Sequence, residues 1–88
     1  MKLVRISAIW CSSCIITYSI WNNIKEKYPN LEYLDLDYDM DDISKYEINE
    51  ILPVIIIYKD NIEVARLIGE KKESEISNKI EELLWKKY

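Results

Sequence analysis

Histidine is missing from this sequence, as is phenylalanine; glycine occurs once, and proline and cysteine twice each. Without an imidazole, Ser12 and Ser13 lack the usual base that turns a serine into a nucleophile. The same absence leaves any zinc site half built, because zinc takes four ligands from cysteine, histidine or carboxylate. With so little glycine and proline, nothing in the sequence suggests a flexible linker or a disordered tail. No run approaches the ~20 apolar residues of a membrane span. Basic charge is not in excess either, with 12 basic against 16 acidic residues and a net charge of −4. The basic residues are scattered, apart from some crowding after Gly69. Phosphate binding needs a concentrated basic face, so no nucleic-acid partner is expected.

What is present fits one domain over residues 1–88, since a compact unit of this size does not split. Apolar residues make up 49% of the chain and include sixteen isoleucines, a β-branched excess suited to buried strands. Met1-Lys2-Leu3-Val4-Arg5-Ile6 runs straight into strand-like sequence, and Arg5 interrupts any signal-peptide core. A cytoplasmic protein is therefore expected, with no membrane association; a monomer is also expected, though no sequence feature signals the oligomeric state. A structural disulfide is not expected in that compartment, so two cysteines three residues apart need another reason to exist.

Leu3 to Ile9 reads as a first strand. From Cys14 the spacing becomes helical, with Cys14, Tyr18, Trp21 and Tyr28 on one stripe widened by Ile20 and Ile24, until Pro29-Asn30 stops the helix. Leu31 to Leu36 is a second strand. A short second helix is expected through Ile43 and Tyr46, capped by Asp39 or Asp41 and stopped at Asn49. Pro53 opens the strongest strand, Val54 to Tyr58. Asp60-Asn61 can supply the positive φ values of a tight hairpin, and Ile62 to Ile68 returns to Gly69. The last helix carries Ile76, Ile80, Leu83 and Leu84 on one stripe, with Ser74 as its cap. Trp21 and Trp85 are read as core residues. The order β-α-β-α-β-β-α specifies an α/β fold, with the first two strands parallel, the last two an antiparallel hairpin, and helices on both faces of a four-stranded mixed sheet. Asp35, Asp37, Asp39, Asp41 and Asp42 resemble a calcium loop only superficially. Met40 and Tyr46 stand where its glycine and glutamate belong.

The chemistry-bearing motif is Trp10-Cys11-Ser12-Ser13-Cys14, at the junction of the first strand and first helix. A helix start offers unpaired N–H groups and the positive end of the helix dipole, so a thiolate at Cys11 is expected to be stabilised there. Cys14 lies one turn in and on the same face, close enough to close a small ring. Cys11 is read as the exposed nucleophile and Cys14 as the shielded resolving thiol. Redox exchange is the first reading of the pair, with Ser12 and Ser13 tuning it. A metal-binding or assembly role, completed by a second chain, is the other.

Taken together, Trp10-Cys11-x-x-Cys14, Pro53 at the third strand and Gly69 after the fourth resemble the thioredoxin family over nearly the whole chain. The stretch from Pro53 through Asp60-Asn61 to Glu63-Val64-Ala65 and Gly69 is similar to that family's hairpin. The resemblance implies a thiol–disulfide oxidoreductase acting on disulfide-containing proteins and recycled by a reductase that donates electrons. It implies no cofactor beyond the redox-active Cys11–Cys14 disulfide and no metal. It also implies a cis bond before Pro53, substrate contact from the Leu52 backbone, a docking role for Trp10, and close partner approach at Gly69, where a turn requirement would equally explain the glycine. The family's buried acid would fall at Arg5, where a cation could stabilise a thiolate but not accept a proton. Ile51-Leu52-Pro53 and Gly69-Glu70 differ from the usual glutathione-site segments of the glutaredoxins. That disfavours a glutathione-dependent reductase, the nearer alternative.

Overall fold

The computed structural model describes residues 1–85; the last three residues of the expected domain lie outside the described residues. The strands are β1 (Lys2–Ser7), β2 (Glu32–Asp37), β3 (Val54–Lys59) and β4 (Ile62–Ile68). They form one sheet in the order β2-β1-β3-β4. β1 runs parallel to β2 and antiparallel to β3, which pairs antiparallel with β4. Lys59 pairs with Ile62 across the hairpin, and Asp60 and Asn61 between them take φ values of 54° and 65°. Those angles are the left-handed values that a two-residue hairpin requires, and asparagine and aspartate tolerate them.

Alternation along β1 and β3 sorts the core into two layers. Val4, Ile6, Val54 and Ile56 face one side, with Cys11, Cys14, Tyr46 and Leu52 packed against them. Leu3, Ile55 and Ile57 face the other, beneath Trp21 and Ile24 of α2 (Tyr18–Lys27) and Ile76, Ile80 and Leu83 of α3 (Glu73–Trp85). The α/β fold and mixed sheet are thus as the sequence implies.

Four local expectations need correction. The first helix is not continuous, because α1 (Ser12–Ile16) ends at Thr17 before α2 begins. The helix expected over residues 39–48 is a single 3-10 turn, Ser44–Tyr46, ended by Glu47 rather than Asn49 at φ 54°. The aspartates cause this. Asp37 Oδ1 accepts from the N–H groups of Asp39 and Met40, Asp41 Oδ2 from that of Asp37, and Asp42 Oδ1 from that of Ser44. Such side-chain turns compete directly with the helical ladder. Ser74 lies inside the first turn of α3 instead of capping it; there Glu75 Oε1 reaches back to the Lys72 N–H at 3.5 Å. Finally, Trp85 is 84% exposed and Leu84 is also exposed, so the apolar stripe of α3 ends at Leu83.

Candidate active site

β1 stops at Ser7, and a turn closed by Cys11 N–H donating to the Ala8 carbonyl (3.2 Å) delivers the chain to α1. Cys11 is the N-cap of α1, in extended geometry at φ −92° and ψ 108°. Its Sγ accepts the Cys14 N–H at 3.1 Å, so the sulfur satisfies one of the donors that a helix start leaves unpaired. Both cysteines are free thiols. The expected exposed nucleophile needs correction here: Cys11 is only 8% exposed and Cys14 4%. Capping draws the Cys11 sulfur inward over the first turn, and the core layer that holds both cysteines shields them.

That layer also contains Leu52, so the dithiol packs together with the loop before β3. The Leu52–Pro53 bond is cis, as expected. The Pro53 carbonyl accepts the Gly69 N–H at 2.8 Å, which ties the ends of β3 and β4 together beside this loop. Gly69 has φ +87°, and an added Cβ would meet Ile51 Cγ2 at 3.5 Å, an ordinary contact. Backbone conformation, not space, therefore explains why a glycine is needed. Trp10 is 58% exposed, its indole Nε1–H donates to Asp39 Oδ2, and its ring meets Tyr38 edge-on at 6.0 Å. The tryptophan is thus anchored to the acidic loop after β2, with much of its ring still in water. Ser13 contributes its carbonyl, which accepts the Thr17 hydroxyl at 2.6 Å. No side-chain bond from Ser12 or Ser13 reaches either sulfur among the described residues.

Arg5 of β1 is 3% exposed. Its Nη2 donates to the Cys14 carbonyl at 2.8 Å and to Thr17 Oγ1 at 3.4 Å. The guanidinium also lies 5.9 Å from the Tyr18 ring centroid and 6.0 Å from that of Trp21. Thr17 and Asp39 are the two site residues that sequence reasoning missed. Each is tied in by a side chain distant in sequence, Arg5 in one case and Trp10 in the other, and the only local signal was a hydroxyl one turn beyond Cys14.

Burial pushes the Cys14 thiol up to about 11, and the hydrogen bond with Cys11 adds to this, while the Ala8 backbone and the Arg5 charge pull the other way. The consequence for stability has a definite sign. Cys14 binds its proton more tightly in the folded state, so its contribution is fully present below pH 9.0 and is lost as pH rises towards about 11. Urea unfolding of the wild type and Cys14→Ser at matched pH checks it. Their stability difference is expected to hold steady up to pH ~9 and then to shift against the wild type. Tyrosine titration is common to both proteins and cancels.

Among the described residues, no group of three histidine, cysteine or acidic side chains could hold a metal ion. What the site holds is a dithiol at a strand–helix junction on a mixed sheet, an arrangement suited to thiol–disulfide exchange.

Comparison with known proteins agrees with this geometry. The thioredoxin family model matches residues 1–82. A thioredoxin of Ophiophagus hannah is 31% identical over 87 residues, covering 98% of this chain and 77% of that protein. A thioredoxin of Chlamydia pneumoniae is 30% identical over 82 residues, covering 91% of this chain and 79% of the relative. Among solved structures, Fasciola hepatica thioredoxin superposes with a TM-score of 0.83 at 24% identity, over 92% of this chain and 78% of that one. At that identity the likeness speaks for the fold. The class is therefore protein disulfide oxidoreductase, with its two thiols spaced Cys11-x-x-Cys14. The chain belongs to the thioredoxin family.

Proposed function

We propose that this protein reduces disulfides of other proteins, with Cys11 as the attacking sulfur and Cys14 as the resolving one. The observation that carries this reading is the Cys14 N–H donated to Cys11 Sγ at the start of α1, beside the Leu52–Pro53 loop. Cys11 attacks one sulfur of the substrate. The substrate S–S bond breaks, a Cys11–substrate disulfide forms, and the second substrate sulfur leaves and takes a proton. Cys14 then attacks Cys11 Sγ, the mixed bond breaks, and the Cys11–Cys14 disulfide forms as the substrate departs fully reduced. Two electrons pass from the dithiol to the substrate.

The order of events follows from what holds the Cys14 proton. Two of the causes that keep this thiol protonated are its hydrogen bond with Cys11 and the negative charge of Cys11. Bonding Cys11 to substrate removes both, so Cys14 becomes a better nucleophile only once there is a mixed disulfide to resolve.

Leu52 and Pro53 offer the backbone against which an extended substrate strand would pair, Trp10 an exposed ring for docking, and Gly69 close approach beside that loop. Ser12 and Ser13 fill the short span between the sulfurs and tune the pair. The redox-active disulfide is the only redox group this reading needs. The protein acts as a cytoplasmic monomer, and a separate reductase returns the disulfide to the dithiol; the thioredoxin names of its relatives support this cycle over a glutathione-dependent one. No helix among the described residues is long and apolar enough to cross a membrane.

Equilibrating the dithiol against a glutathione buffer tests the direction of electron flow. A potential near about −270 mV is expected for a reductase, and one near about −120 mV would overturn that direction in favour of an oxidant.

A further inference from the structure

Among the described residues, Arg5 is a largely buried cation without an anionic partner. Its side chain is held by a carbonyl, a hydroxyl and two aromatic rings. Among the described residues it makes no ion pair with a carboxylate; the pairs present are Lys25–Asp35, Arg66–Glu63 and Lys79–Glu82. The guanidinium N–H groups other than those on Nη2 have no protein acceptor among these residues. They keep some contact with water along the groove that Arg5 lines, since Trp21 Nε1 is the one fully buried side-chain polar atom among the described residues without a partner. Taking most of a charge out of water without a counter-ion is costly. Such an arrangement is stable only where surrounding dipoles hold the charge, and it is useful where an anion appears transiently.

One anion is generated next to it. Arg5 binds the backbone of Cys14 itself, and both residues line a shallow groove with Ser7, Ile15 and Tyr18. Cys11 and Arg5 are the charged or chargeable side chains that act on the Cys14 sulfur. Tyr18 shares the groove, and Tyr46 packs into the same core layer from the 3-10 turn. From the β3 side the neighbours Leu52 and Val54 are apolar. Among the described residues, no carboxylate is therefore placed to take the Cys14 proton.

Building on the disulfide-exchange reading, we propose that Arg5 is a positioning residue that steadies the Cys14 thiolate by charge during the resolving step, in place of a base that would accept its proton. The step balances without a base. The Cys14 S–H and the Cys11–substrate disulfide give the Cys11–Cys14 disulfide and a substrate thiol, with the Cys14 proton passing to the departing substrate sulfur. Arg5 keeps its proton throughout. The bond to the Cys14 carbonyl fixes where the guanidinium sits, and the break of the helix at Thr17 is what admits it.

The test is the pH profile of Cys14 alkylation in the Cys11→Ser background, with Arg5 intact or replaced by Lys, Met or Gln. This readout needs no disulfide substrate, so it can fail while wild-type insulin reduction succeeds, and the reverse. Removing the charge is expected to move the alkylation midpoint up by about one pH unit, and to slow the reaction ~10-fold below that midpoint. Arg5→Lys is expected to stay near the parent value. A midpoint unchanged by Arg5→Met would overturn the proposal, as would Arg5→Lys shifting as far as Arg5→Met. So would a loss of urea stability without any movement of the profile, which would make Arg5 merely structural. If Arg5→Met fails to fold, Arg5→Gln, which can still donate to the Cys14 carbonyl but carries no charge, is read in the same way.

Discussion

Cys11→Ser is expected to lower the rate of insulin disulfide reduction by dithiothreitol to the uncatalysed background, while Cys14→Ser leaves a protein that reacts once and stalls. The asymmetry follows from the geometry. Cys11 Sγ sits at the start of α1 and accepts the Cys14 N–H, whereas Cys14 is the more deeply buried of the two and keeps its proton. A serine at position 11 can still cap the helix, since its hydroxyl accepts the same N–H. Folding is therefore expected to survive, and the loss is one of chemistry. Serine cannot form the mixed disulfide, and no second nucleophile replaces it. Equal turnover by wild type and Cys11→Ser would remove the assigned role of Cys11.

Trp21→Ala is expected to have the largest effect on stability. Trp21 is fully buried, in edge contact with Tyr33 at 5.5 Å, and it joins α2 to Leu3, Ile55 and Ile57 and to the buried stripe of α3. Truncating a buried tryptophan to alanine costs about 3–5 kcal/mol, against a total of about 5–15 kcal/mol for a typical domain. The indole Nε1–H has no partner among the described residues, and an orphaned buried donor carries a cost of its own. Trp21→Phe removes that donor while keeping most of the ring, so it is expected to lie much nearer the wild type. Urea unfolding followed by circular dichroism measures both. A loss below about 1 kcal/mol for Trp21→Ala would show that this layer does not organise the core.

Much of this is legible in the sequence alone. The apolar run Val54–Tyr58, the positive-φ pair Asp60-Asn61 and the change to helical spacing near Cys14 are local signals, and each matches the element that forms. The features that escaped are those in which a distant side chain or a local competitor overrides the backbone pattern. The helix breaks at Thr17, where Arg5, twelve positions away, donates to the Cys14 carbonyl and the threonine hydroxyl. Periodicity contains nothing of that. The helix expected in the acidic segment fails because Asp37, Asp41 and Asp42 each accept a nearby backbone N–H, which spacing arguments do not weigh against helix formation. The apolar stripe of the last helix could not show that Leu83 still meets the sheet while Leu84 and Trp85 do not. For the site, Cys-x-x-Cys at the strand–helix junction pointed to the chemistry, and the family likeness supplied Pro53. The burial of Cys11 and the tether from Trp10 to Asp39 depend on tertiary packing and on a loop whose conformation no motif encodes.

Mass spectrometry of Cys14→Ser after mixing with a small aromatic disulfide tests the central assignment most directly. A persistent adduct on residue 11, one thiol of the reagent in mass and released by dithiothreitol, is the expected result, with Cys11→Ser labelled far more slowly on residue 14. Equal or faster labelling of Cys14 would contradict the assigned order of attack.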